Sequence, residues 1–164
     1  MILEALETGI ELSEQWDADD TTLPMLLCEV HHGMATIYMH KEDNDTAWEH
    51  ALRTLEIAEI VDQPFQRGFA NRIMGKVMTE LEVSPNLQFS SDPDTYFRAA
   101  LESFREINAE AELARTMFTH AYSLSARGRR NSAARKLQQV MIIFTRLGML
   151  DDAARAAKSQ LDIM

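Results

Sequence analysis

The stretch FREINAEAELARTM at residues 104–117 returns as FTRLGMLDDAARAA at residues 144–157 with few identities. Five of its positions nevertheless recur in kind, and the same interval separates the two members of each pair. The matched pairs are Phe104 with Phe144, Ile107 with Leu147, Asn108 with Gly148, Ala114 with Ala154, and Arg115 with Arg155. An interval that is kept while identities are lost is typical of a structural unit repeated along a chain.

Apolar residues recur along the chain at the period of an α-helix, and no segment shows the alternation of a half-buried strand. The sequence therefore predicts an all-α domain of about eight helices. Several helix ends carry capping signals: Asn44 or Asp45 before the third helix, Asp92 ahead of a proline, and Gly128 and Gly148 as left-handed C-caps. We also expect Ile107 to close the end of a hairpin, and Asn108 and Gly148 to turn the chain into the next helix. The predicted helices span about residues 2–16, 23–41, 46–61, 64–81, 93–107, 111–127, 132–147 and 151–164.

The repeat extends towards the N-terminus, where its interval is longer because the loop after the fourth helix contains six extra residues. A closed bundle has no reason to keep a fixed interval, whereas stacked helical hairpins bury their apolar faces only against neighbours. We therefore expect one domain built as an array of antiparallel helical hairpins. The predicted units are a half repeat at 1–20, hairpins at about 22–62, 63–108 and 110–148, and a C-terminal capping helix at 150–164.

The pattern of small residues resembles the tetratricopeptide repeat family, in a long and degenerate variant of about 40 residues per repeat. Residues that match the family pattern are Ala35, Gly75 and Ala121 at its first small position, Tyr38, Met78 and Leu124 three residues later, and Ala47 and Ala133 where the helices of a hairpin pack closely. The sequence departs from the family where Trp is common, with His31, Asn71 and Met117, and it lacks the closing proline. The resemblance covers nearly the whole chain and implies a right-handed superhelical array.

The resemblance also implies a non-catalytic scaffold that binds a partner peptide or helix in a concave groove. The groove positions of the family fall on Glu29, His32, Thr36, Phe69, Arg72, Lys76, Arg115, Phe118, Tyr122, Arg155 and Lys158. These residues are mainly basic and aromatic, so we expect an acidic or carboxylate-bearing partner segment, with the arginines and Lys76 supplying charge. The alternative is that the same residues form an ordinary solvated face. Family members of this kind often accompany bacterial signalling modules, which implies a regulatory role.

The net charge of −10 argues against general nucleic-acid binding, since phosphate contacts dominate that affinity. Residues 1–112 hold 23 acidic and 7 basic side chains, a balance of −16, and residues 113–164 hold 3 and 9, a balance of +6. This asymmetry favours homodimeric or head-to-tail self-association as a second hypothesis. The apolar runs are too short to cross a membrane and the N-terminus is acidic, so we expect a cytoplasmic protein with a buried, structural Cys28.

A metal-binding helical bundle or small enzyme is the alternative from another functional class. Glu29 and His32 have the Glu-x-x-His spacing of di-iron proteins, but no second pair with this spacing occurs. The histidines His40, His50 and His120 stand singly in the sequence, and RGRRN at residues 127–131 is no nucleotide-binding loop because it lies between two helices. We therefore expect no metal, no cofactor and no catalysis.

Overall fold

The computed structural model describes residues 2–13 and 22–163, and this part of the chain contains eight α-helices and no strand. The prediction of an all-α array of about eight helices is confirmed. The end of the predicted half repeat, residues 14–20, lies outside the described residues. The helices are α1 (Ile2–Ser13), α2 (Thr22–His40), α3 (Asn44–Val61), α4 (Pro64–Leu81), α5 (Pro93–Glu106), α6 (Glu110–Ala126), α7 (Arg130–Arg146) and α8 (Leu150–Ile163).

Each helix packs against the next one along the chain, as stacked hairpins require. Two further contacts skip a helix, because α2 also packs on α4 and α4 also packs on α6. Helices α2, α4 and α6 therefore form one layer, and α8 contacts it where the Arg155 guanidinium lies over the Phe118 ring of α6. We call α2, α4, α6 and α8 the A helices, and α3, α5 and α7 the B helices.

The turns between helices recur at a regular interval along the chain. In each of the six turns from α2 to α8 one residue has a positive φ, and these residues are Glu42, Asp62, Glu82, Asn108, Gly128 and Gly148. The steps between them are equal except for the one from 82 to 108, which contains the six-residue insertion. At four of the turns the next amide donates to the carbonyl five residues back, as Ala109 does to Phe104 at 2.9 Å and Met149 to Phe144 at 2.9 Å. Residues 108 and 148 thus turn the chain into the following helix, as predicted.

The inserted loop after α4 folds back on the preceding hairpin. Phe89 packs edge-on against the Trp48 ring of α3, with 5.7 Å between ring centroids. The loop is also tied to α5, since the Tyr96 hydroxyl donates to the Ser90 carbonyl at 3.0 Å. The extra residues therefore lengthen one turn without separating the stacked hairpins.

Helices α4 and α5 approach closely because α4 presents glycines to phenyl rings. Gly68 lies against Phe104 and Gly75 lies against Phe97, and both rings are fully buried. A Cβ added at Gly68 would lie 2.6 Å from Phe104 Cζ, far inside the optimal carbon–carbon separation of about 3.5–4.0 Å. The small residues at these positions are therefore required by the packing of this hairpin.

Most predicted helix ends agree with the structure, and two details do not. Asp92 caps α5 by accepting from the Asp94 amide at 3.0 Å, as expected. The cap of α3 is Asp43, which accepts from the Thr46 amide at 3.2 Å, so the assignment to Asn44 or Asp45 was wrong. Ile107 was expected to close the end of a hairpin but is 41% exposed.

Candidate partner-binding groove

The predicted groove residues all lie on the A helices. Five of them are exposed (Glu29, Arg115, Tyr122, Arg155 and Lys158), five are half-buried (His32, Thr36, Phe69, Lys76 and Phe118), and Arg72 is buried. We call the surface that they share the groove face. Predicted residues line two larger cavities on this face, and ion pairs connect several of its charged side chains.

These charged side chains join three A helices through alternating ion pairs. Arg72 of α4 donates to Glu112 of α6 at 2.7 Å, and Glu112 also accepts from Arg115 at 2.5 Å. Arg115 lies 4.0 Å from Asp152 of α8, which in turn accepts from Arg155 at 3.3 Å. Burial alone would raise the pKa of Glu112, but hydrogen bonds and charge from the two arginines lower it. All three predicted recognition arginines are therefore already paired with carboxylates of this chain.

Arg72 is held inside the helix layer by further contacts. Its guanidinium lies 4.6 Å from the Phe69 ring centroid and 5.4 Å from that of Phe104. It also donates to the Thr116 hydroxyl of α6 at 3.3 Å. With 9% of its surface exposed, Arg72 connects α4 to α6 and presents little charge to a partner.

The cavity at the C-terminal end of the groove face has a volume of about 450 Å³, and we call it the C-terminal cavity. Its walls combine aromatic rings, hydroxyl groups and cations from four helices. Tyr122 is 63% exposed beside it, and the Arg155 guanidinium lies 5.6 Å from the Phe118 ring centroid. The lining residues are Lys76, Phe118, Thr119, Tyr122, Ser125, Leu137, Arg155, Ser159, Asp162 and Ile163.

Lys76 occupies a special place on this face because it lines two adjoining cavities. One is the C-terminal cavity, and the other is a small space of about 20 Å³ beside Met39 and Phe97. Its ammonium forms no ion pair within residues 2–13 and 22–163. Burial lowers the pKa of Lys76, the Arg72 charge lowers it further, and Glu80 opposes the shift. Lys76 is thus a partly desolvated cation that forms no ion pair in the described chain, although the charge of Glu80 acts on it.

The cavity at the other end, about 380 Å³, lies between α2 and α4, and we call it the N-terminal cavity. Predicted residues Glu29, His32 and Phe69 line it together with Cys28, Phe65 and Gln66. His32 meets the Phe69 ring edge-on at 5.3 Å. Burial, followed by the charges of Arg72 and Lys76, lowers the pKa of His32 to about 4, so this imidazole is neutral at pH 7.

Cys28 is buried with 2% of its surface exposed, which confirms the expected location. Its thiol lies 3.8 Å from the Thr54 carbonyl, which accepts from it. Burial, with a smaller effect of Glu29, raises the pKa of Cys28 to about 11. The sulfur is therefore protonated and unsuited to nucleophilic attack at neutral pH.

Two histidines that stand singly in the sequence have close partners in the structure. His50 Nδ1 lies 2.9 Å from His31 Nδ1, between α2 and α3. His120 Nε2 lies 2.8 Å from Asp94 Oδ1, linking α6 to the start of α5. Within the described residues, no three His, Cys, Asp or Glu side chains come together in a way that could hold a metal ion.

Sequence reasoning found the arginines of the groove face and missed the acids beside them. Glu112 and Asp152 each precede an arginine by three residues, and they recur at the same interval as the arginines themselves. An acid three residues before an arginine on a helix is the spacing of an ion pair. The repeated acid-x-x-Arg motif was therefore the signal that these arginines are paired.

Comparisons with known proteins give no family for the chain. No protein-family model matches it, and no curated protein matches it. Among the helices of the described residues, none is both long and apolar enough to cross a bilayer.

Proposed function

We propose that this protein is a non-catalytic interaction scaffold of the tetratricopeptide type, which binds a peptide or helix of a partner protein along its groove face. The observation that carries the proposal is the pair of cavities on one layer of helices, with an exposed tyrosine, Tyr122, beside the larger one. Tyrosine supplies a large contact area at a small cost in conformational entropy, and it is enriched among the residues that dominate binding.

The burial of the small residues supports the tetratricopeptide assignment. Ala35 and Ala121 on A helices are fully buried, and so are Ala47 and Ala133 on the B helices that follow them. Close approach of the two helices of each hairpin needs small side chains at such positions, and it leaves the other side of the A helices for a partner.

A matched pair of substitutions tests the groove face. Peptides selected from a random display library against the wild-type protein are titrated by fluorescence polarisation against Tyr122→Ala and Ile142→Ala. Both side chains are largely exposed, 63% and 66%, but Ile142 lies on the B helix α7. We expect Tyr122→Ala to weaken binding about tenfold or more, as removal of a central aromatic contact does, and Ile142→Ala to leave it unchanged.

Equal effects of the two substitutions would place the binding surface elsewhere. Failure of the library to yield any peptide would count against a peptide-binding scaffold altogether.

A further inference from the structure

The cations of the groove face differ in whether the chain itself satisfies them. Arg72 and Arg115 share Glu112, and Arg155 contacts Asp152 at 3.3 Å while its side chain remains 69% exposed. Lys76 and Lys158 form no ion pair within the described residues, and Lys76 is half-buried whereas Lys158 is exposed to solvent. A cation that is partly removed from water loses part of its hydration free energy, and a nearby anion can compensate for that loss.

The C-terminal cavity brings Lys76 and Arg155 to one space. It holds these two cations and one carboxylate, Asp162, so its lining is net positive in a chain of net charge −10. Phe118 and Tyr122 provide the apolar part of the same wall. The lining therefore suits a ligand that combines one negative charge with an apolar or aromatic neighbour.

The position of Lys76 on the groove face indicates that the anion is a side chain of an internal residue of the partner. Helix α4 lines both larger cavities, through Phe69 in the N-terminal cavity and through Lys76 in the C-terminal cavity. A segment that occupies both cavities therefore passes Lys76 without ending there.

An arginine guanidinium can bind a phosphate through two parallel hydrogen bonds. Arg72 and Arg115 are already paired with Glu112, and Asp152 partly neutralises the charge of Arg155. A lysine acts as a point charge and suits a single carboxylate.

Resting on the proposed function, we infer that the partner segment places an internal glutamate or aspartate side chain between Lys76 and Arg155, with an adjacent apolar or aromatic residue against Phe118 and Tyr122. Arg72 and Arg115 hold the A helices together and do not contact this carboxylate.

Five pools of short synthetic peptides test the inference. Their flanking positions are randomised over Gly, Leu, Phe and Tyr, and four pools, blocked at both ends, carry Glu, Gln, Lys or phosphoserine at the centre. The fifth has central Gln and a free C-terminal carboxylate. Because hydrogen bonds between charged groups are stronger than those to a neutral amide, we expect the Glu pool to bind wild type at least about tenfold more tightly than the Gln pool.

The variant Lys76→Met keeps the length and apolar stem of the side chain and removes its charge. We expect it to bring the Glu and Gln pools to equal affinity, whereas Arg98→Met, which removes an exposed charge from the B helix α5, leaves the preference intact.

A measurement on the wild-type chain avoids dependence on that substitution. The chain has only four lysines, so ¹³C-methylated Lys76 gives a resolvable NMR signal. Binding of the Glu pool should raise the pKa of Lys76, because a neighbouring anion stabilises the ammonium.

The outcomes separate the two proposals. Equal binding of the Glu and Gln pools, both weakened by Tyr122→Ala, overturns the inference and leaves the scaffold in place. Tightest binding of the phosphoserine, Lys or free-carboxylate pool, a Glu preference that survives Lys76→Met, or an unshifted Lys76 pKa also overturns it. Absence of binding by every pool overturns both proposals.

Discussion

The contact between Gly68 and the Phe104 ring yields a quantitative prediction for Gly68→Ala. The new Cβ would lie 2.6–2.8 Å from three ring atoms, so the two groups must separate by about 1 Å to reach an ordinary contact. The ring has little room to move, because Phe65 and Phe69 pack edge-on against it at 6.1 and 5.9 Å and Arg72 lies above it.

The expected free-energy change is the difference of two opposing effects. Overpacking a tight core costs about 1–3 kcal/mol, and the depth of this overlap places Gly68→Ala at the upper end. Replacing glycine with alanine inside a helix stabilises the helix by about 1 kcal/mol, because alanine has the higher helix propensity. We therefore expect a net loss of about 2 kcal/mol in the free energy of unfolding, which lowers the Tm by about 4–8 °C in a chain of this size.

Circular dichroism during urea and thermal unfolding measures this loss. Gly9→Ala is the matched control, because a Cβ there meets nothing within 4 Å and only the gain in helix propensity remains. The free-energy change of Gly75→Ala should lie between those of the other two variants, since a Cβ at Gly75 would be 3.0 Å from the nearest atom of the Phe97 ring.

The double variant Gly68→Ala with Phe104→Leu decides whether the clash is the cause. Removing the ring should recover at least about 1 kcal/mol relative to the sum of the single changes. A stabilising Gly68→Ala, or strictly additive effects in the double variant, would refute the reasoning.

Two further predictions concern pH and backbone conformation. Burial lowers the pKa of His31 to about 4, so the unfolded chain binds more protons than the native chain between about pH 6.5 and 4, and the free energy of unfolding should fall as pH falls through this window. Urea midpoints should show a shallower pH slope in His31→Asn, which keeps a polar group towards His50, than in the wild type. Equal slopes in the two proteins would contradict the assignment. Gly128→Ala should lower the free energy of unfolding by about 1 kcal/mol, because its φ of +75° is unfavourable for alanine and nothing lies within 4 Å of the new Cβ. Urea unfolding measures this loss, with Gly9→Ala, which should gain stability, as the comparison. An unchanged free energy of unfolding in Gly128→Ala would contradict the left-handed conformation.

The fold was predictable because turn residues and small residues recur at a regular interval along the sequence. Asn108, Gly128 and Gly148 favour the left-handed conformation by their chemistry, and they were recognised as turns. Glu42 and Glu82 adopt a positive φ as well, although glutamate has no such preference. Their conformation follows from the regular spacing of the stacked helices, which no local signal at these positions reveals.

The groove face was predictable in position and less so in chemistry. Tyr122 and Arg155 line one cavity, because the positions of residues along a helix determine the side on which their side chains lie. Their role in binding a partner stays a prediction. The burial of Arg72 depends on Glu112, in the next A helix, and on the ring of Phe104 in a B helix. Local helical spacing does not reveal such contacts, because they depend on how the hairpins stack.

The paired arginines suggest how charge on a helical array divides between folding and recognition. Arg115 and Arg155 each follow an acid by three residues, and both contact that acid in the structure. An arginine that recurs together with its acidic partner forms the same ion pair in each repeat, and that pair contributes to the folded structure. Lys76 has no such acid three residues before it and no ion pair within the described chain, and it lies where two cavities meet. Departures from the repeated charge pattern, more than the repeated arginines, are therefore where partner recognition is expected on this molecule.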